Sequence, residues 1–201
     1  MEIVELFGKG GAVMWLLLAC SVAVAVIGIE RLRFYRHAAE GGEKFLAALA
    51  ERIRRQPAEE IIGFCATTFI GKIAAAGIRA ALNGENIEAA MNIAYDEAAM
   101  KLRARLNYLS TIVTLAPLLG LLGTISGMID AFNIFSLQAG QPLAITSGIG
   151  EALIATASGL CVAIFALIVH TILAQLLDEN LTRLDKTINI VLAAGDHHAT
   201  P

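Results

Sequence analysis

Residues 106–177 contain no lysine and no arginine, and their only acids are Asp130 and Glu151. A stretch of 72 residues this poor in charge cannot cover the surface of a water-soluble fold. Within it, residues 106–129 and 152–177 carry no formal charge at all. Each run exceeds the roughly 20 residues that an α-helix needs to cross about 30 Å of hydrocarbon. Between them, residues 135–148 (FSLQAGQPLAITSG) hold Gly140, Pro142, two glutamines and two serines, which is turn chemistry and not a further span. The stretch therefore reads as a transmembrane hairpin, with helices over 106–134 and 148–177 and a loop over 135–147.

Composition agrees: 57% of residues are hydrophobic and 16% charged, values of the membrane class. Residues 12–29 (AVMWLLLACSVAVAVIGI) form another uncharged run, preceded by a short segment, 1–11, and followed by the basic exit Glu30-Arg31-Leu32-Arg33-Phe34-Tyr35-Arg36. A cleaved signal peptide is the competing reading. The run is too long for one, the preceding segment is acidic, and the basic cluster after it is a stop-transfer signal. The sequence thus predicts an all-α integral membrane protein with three spans.

Placement of the cations sets the orientation. Twelve of the fifteen Lys and Arg lie in residues 30–105, and Arg183 and Lys186 follow the third span. By the positive-inside rule the N-terminus and the 135–147 loop face outward, on the periplasmic side if the membrane is the inner one that the resemblance below implies, while 30–105 and 178–201 lie in the cytoplasm. The 30–105 region reads as helical. Phe45, Leu46, Leu49 and Ile53 share one face, Pro57 interrupts, and residues 58–82 resume with Gly63, Gly71 and Gly77 as weak points. Asn83-Gly84 is a turn. A helix from Glu85 or Asn86, with Ile87, Met91, Ala94, Ala98 and Leu102 on one face, is expected to run straight into the membrane. Residues 178–201 read as a C-terminal helix that frays from Gly195 onward.

Catalysis finds little to work with. Histidine is absent from residues 38–169, no phosphate-binding Gly-Lys-Ser/Thr occurs, and the acids are scattered. No enzyme, cofactor, metal or nucleic-acid partner is expected, and His197-His198 is weak evidence for metal. Cys20, Cys65 and Cys161 are odd in number and sit in apolar surroundings, so no disulfide is predicted.

Glu151, flanked by small residues in GIGEALIATASGL, is the residue of interest. Even on the lenient insertion scale an acid deep in a bilayer costs about 2.5–3.5 kcal/mol, so such groups face a bundle interior or a water-filled cavity. Thr124, Thr156 and Ser158 offer hydroxyls in the same two helices. A threonine in a membrane helix commonly bonds the carbonyl of its own preceding turn, which is the structural alternative for both threonines. Thr156 lies about 7.5 Å along the helix from Glu151 and some 140° round it, whereas Ser158 is only about 20° away. Gly123, Gly127 and Ala131, and likewise Ala155, Gly159 and Ala163, repeat every four residues and form ridges for close helix packing. Pro117 removes a backbone donor and predicts a kink. Asp130 is expected at the outer mouth and His170 at the inner end.

The segments APLLGLLGTISGMIDAF (116–132) and GIGEALIATASGLCVAI (148–164) resemble the MotA/TolQ/ExbB proton-channel family. The first span with its Glu30-Arg31-Leu32 exit is similar to the ExbB and TolQ branches, as are the three spans. Ser126 departs from them, standing where these proteins often carry an aromatic residue. The resemblance implies a bacterial inner-membrane subunit that forms a pentamer around a pore. It also implies two copies of a single-span ExbD/TolR-like partner inside, with a TonB-like or TolA-like protein beyond. The family's pore threonines fall on Thr124 and Thr156 and its pore glutamate on Glu151, with protons as the coupling ion. The residues themselves offer half of such a path, one intramembrane carboxylate read as mid-membrane and a few hydroxyls; the other acid has to come from a partner. The rival from another class is a structural scaffold in which Glu151 docks a partner. A small-molecule carrier is disfavoured, since no inverted repeat or pair of broken helices is present. Uptake, envelope maintenance and another motor task all remain open as the work performed.

Overall fold

A computed structural model of the chain describes residues 11–137 and 142–199. Seven helices make up the described residues: α1 (Gly11–Ala39), α2 (Gly42–Arg55), α3 (Ala58–Cys65), α4 (Gly71–Asn83), α5 (Ile87–Arg103), α6 (Leu106–Leu137) and α7 (Pro142–Ala199). No strand occurs among them. Three of the helical stretches are long and apolar enough to cross a membrane. The chain divides into two compact units, one formed by residues 1–30 and 105–173, the other by 31–104 and 174–201.

In the first unit, α6 and α7 form an antiparallel pair joined through small residues. A methyl added to Gly123 would stand 2.5 Å from Ala155 Cβ, and one on Gly127 3.2 Å from Ala152 Cβ. One on Gly148 would collide with Ala131, and one on Gly159 would lie 2.6 Å from the Ala116 carbonyl oxygen. The backbones can approach this closely only because side chains are missing there. The first span packs beside them, with Met14, Leu17 and Val24 buried and Gly28 against Val169. At the basic end of the unit, Arg105 is ion-paired with Glu30. Few positions are buried within the chain itself, 17% of the apolar window in each of the first two spans and 28% in the third. The exposed positions include many large apolar side chains, among them Trp15, Leu118, Leu122, Ile125, Phe132, Leu153 and Ile164, a surface stable only against lipid or other membrane helices.

In the second unit, α2 buries Phe45, Leu46 and Leu49, and Ile53 is half-buried. Phe45 stacks on Phe64 at 5.1 Å, and the Arg52 guanidinium lies over that ring at 4.2 Å. Pro57 caps α3. The break after it falls at residues 66–70 and not at Gly63, which remains inside α3. Gly71 sits so close to the Cys65 carbonyl that a side chain there would clash. Gly84 ends α4 in the left-handed conformation at φ 72°, and the Asn86 side chain accepts from the Ala89 N–H to start α5. Met91, Ala98 and Leu102 of α5 are buried as its periodicity predicts. The last carbonyls of α5 are claimed by side chains: Tyr35 Oη donates to Leu102 O at 2.7 Å and Arg31 Nη1 to Lys101 O at 3.0 Å.

Three expectations need correction. The helix expected to continue from 86 into the membrane stops at Arg103, because Arg105 adopts a left-handed φ of 68°, and α6 begins afresh at Leu106. Helix also claims most of the expected 135–147 loop. The second span reaches Leu137 and the third begins at Pro142, where the fixed proline φ suits a first helical position. At the C-terminal end helix persists to Ala199, past the expected fraying point at Gly195. The expectations for residues 1–10 and 138–141, and for the side chains of His197 and His198, lie outside the described residues.

Candidate functional site

Pro117 is accommodated inside α6, which runs unbroken past it. One turn further on, two threonine hydroxyls meet the same turn of backbone. Thr124 Oγ1 donates to the Leu121 carbonyl of its own helix at 2.6 Å. Thr156 Oγ1 does not serve its own helix but crosses from α7 to the Gly120 carbonyl at 3.0 Å. The crossing is possible because position 120 has no side chain: a methyl on Gly120 would lie 3.1 Å from both the Ala155 carbonyl oxygen and Thr156 Cα. Two hydroxyls from two helices are therefore anchored on adjacent carbonyls. Each keeps free lone pairs with which to accept from water or a protonated group.

Glu151 is half-buried, next in sequence to Ala152, which packs on Gly127. At 1.5 Å per residue it stands about 27 Å along α7 from Val169, the residue that touches Gly28 near the Glu30–Arg105 pair. That distance approaches the roughly 30 Å of hydrocarbon, so the carboxylate lies nearer the far end of the span than its middle. Thr156 lies about 7.5 Å closer to the basic end. Ser158 is apart from the threonine pair: it lines an apolar cleft of about 460 Å³ between α1 and α7, opposite Ser21. Asp130 and Ser126 are exposed on α6, and His170 is half-buried on α7.

Of the small residues singled out in the sequence, Gly123, Gly127, Ala155 and Gly159 all lie in the hairpin contact. Gly120, Gly148, Ala116 and Ala152 belong to it as well and were missed. They form the neighbouring rows 116/120 and 148/152, offset by three residues from Gly123 and Ala155, which a repeat of four does not reach. Among the described residues no cluster of His, Cys, Asp or Glu could hold a metal ion.

The fold and this site define a class: a multi-spanning helical membrane protein whose unsatisfied apolar faces need other chains or lipid, with two hydroxyls converging in its hairpin and a half-buried carboxylate in the same span. A profile of the MotA/TolQ/ExbB proton channel family matches residues 66–186. An ExbB-like 1 biopolymer transport protein of Synechocystis sp. is 34% identical over 190 residues, covering 90% of this chain and 74% of the relative. TolQ of the Tol-Pal system of Pseudomonas aeruginosa is 38% identical over 87 residues, 43% of this chain and 38% of that protein. The biopolymer transport protein ExbB of Salmonella typhimurium is 41% identical over 69 residues, 34% of this chain and 28% of that protein. The chain belongs to the MotA/TolQ/ExbB proton channel family, in its ExbB/TolQ-like branch.

Proposed function

We propose that this chain is the proton-conducting subunit of an energy-transducing complex in the bacterial inner membrane, with its N-terminus in the periplasm and its C-terminus in the cytoplasm. Glu151 receives or releases protons near the periplasmic end, and Thr156 and Thr124 order the water that carries them inward. The observation that carries this reading is the pair of hydroxyls on the adjacent Gly120 and Leu121 carbonyls, one and a half turns from the carboxylate. A homopentamer supplies cover for the bare apolar faces. A single-span partner of the ExbD/TolR kind, as a dimer, supplies the second acid of the relay, and a TonB-like or TolA-like protein carries the work outward. Each charge crossing 100 mV releases about 2.3 kcal/mol, enough to drive a conformational cycle in a few steps.

One observation favours the scaffold alternative: both threonine hydroxyls are already donated to backbone carbonyls, as purely structural threonines are. Thr156→Val separates the two, since it keeps the volume and removes the hydroxyl. Losing one hydrogen bond costs about 0.5–1.5 kcal/mol, which leaves assembly intact. Conduction predicts a normal oligomer mass with collapsed proton-driven activity. A variant that assembles and works normally removes Thr156 from the mechanism, and one that fails to assemble makes its role structural.

A further inference from the structure

The site described above ends at the level of Thr124, still many turns from the basic end of the membrane unit. Along α6 toward that end, Asn107, Thr111 and Thr114 follow one another at i, i+4 and i+7, so they share one face, and all three are exposed. Thr111 Oγ1 donates to the Asn107 carbonyl and Thr114 Oγ1 to the Thr111 carbonyl, each at 2.9 Å. With its proton committed to the backbone, each hydroxyl presents its lone pairs outward, as an acceptor for water. The same face continues as Leu118, Leu122 and Ile125, also exposed and wholly apolar. The opposite face, with Leu109, Ile112 and Ala116 buried, is taken up by packing. The polar and apolar halves of the free face meet near Pro117. Proline has no N–H, so the Val113 carbonyl, which points toward it, lacks its helical donor and adds a backbone acceptor at that level.

We propose that Asn107, Thr111 and Thr114 hold the water through which protons leave the span on its basic side, completing the path that Glu151, Thr156 and Thr124 begin; this rests on the conduction reading. From Pro117 toward the basic end the acceptors are the Val113 carbonyl, Thr114, Thr111 and Asn107, ending beside Arg105 and Glu30; about 15 Å of α6 separates Thr114 from Thr124, a gap left for the partner's acid to bridge. Polar groups sit where the path opens to water, and leucines and isoleucines keep the rest of that face dry.

Two measurements on the complex, purified through a tag on this chain, test the proposal. The first is labelling by a charged methanethiosulfonate reagent, in a background where Cys20, Cys65 and Cys161 are replaced by serine or alanine. Reaction needs the thiolate and hence water. Thr111→Cys and Thr114→Cys should label and Ile125→Cys should not; no labelling at 111 and 114, or equal labelling at all three, overturns the proposal. The second is proton flux in proteoliposomes. Thr111→Val with Thr114→Val should lower flux by about tenfold, the factor one hydrogen bond corresponds to, and serine at both positions should restore it. Normal flux in the valine pair, with flux still abolished by Thr156→Val, overturns this inference alone. Absence of flux in the wild-type complex overturns the conduction reading and this inference together. Flux that neither valine nor serine supports makes the two threonines structural and also overturns it.

Discussion

Replacing Gly159 by alanine probes the contact on which the hairpin depends. The new Cβ would stand 2.6 Å from the Ala116 carbonyl oxygen, 2.9 Å from Gly120 Cα and 3.1 Å from Gly120 N. All three are backbone atoms, so no rotamer change can relieve the overlap, and real Cβ atoms essentially never come within 3.0 Å of a neighbour. The helices must separate by about half an ångström, and overpacking of this kind costs about 1–3 kcal/mol. The better helix propensity of alanine returns at most about 1 kcal/mol. Separation also stretches the Thr156–Gly120 hydrogen bond, which lies one turn away. A net loss of about 1–2 kcal/mol lowers the melting temperature of a chain this size by about 2–8 °C. Thermal unfolding of the detergent-solubilised protein reads it, with Gly150→Ala as the control, because nothing lies within 4 Å of a methyl at that position. Gly150→Ala should melt at or above the wild-type temperature. Should Gly159→Ala melt with the wild type, the small-residue contact is not what holds α6 to α7.

Tyr35→Phe removes the hydroxyl that donates to Leu102 O and leaves that carbonyl buried without it, a loss of about 1–3 kcal/mol visible in the same melt; an unchanged melt would mean that water replaces the hydroxyl. Burial pushes the Cys65 thiol up to about 11, so the folded protein favours its neutral form. The corresponding stability is fully present below the unfolded thiol value of about 8.5 and fades as pH rises through about 11. At pH 8 Cys65 should resist iodoacetamide until the protein unfolds, and alkylation at the rate of a free thiol would contradict this.

The spans were legible because hydropathy over some 20 residues is a strong and local signal, and so were the buried faces of α2 and α5, whose periodicity shows directly which residues turn inward. The α5–α6 corner was not legible. Arg105 is not a residue that announces a positive φ, and its side chain pairs with a residue 75 positions away in sequence, Glu30. The extra turns at Leu137 and Pro142 escaped notice because glycine, glutamine and proline were read as a loop, although proline is well suited to begin a helix. Thr156 is the instructive case. Its place in the path was read from resemblance, and its own-helix hydrogen bond from the habits of threonine. The bond to Gly120 depends on how two helices register against each other, a relation that no single stretch of sequence encodes.

Passage of protons by way of Glu151 is measured as proton flux through the purified complex reconstituted in proteoliposomes under an imposed pH gradient and potential. Glu151→Gln keeps the size and polarity of the side chain and removes its titration. This variant should assemble with wild-type mass and conduct at the level of empty vesicles. Wild-type flux in the Glu151→Gln complex would contradict it.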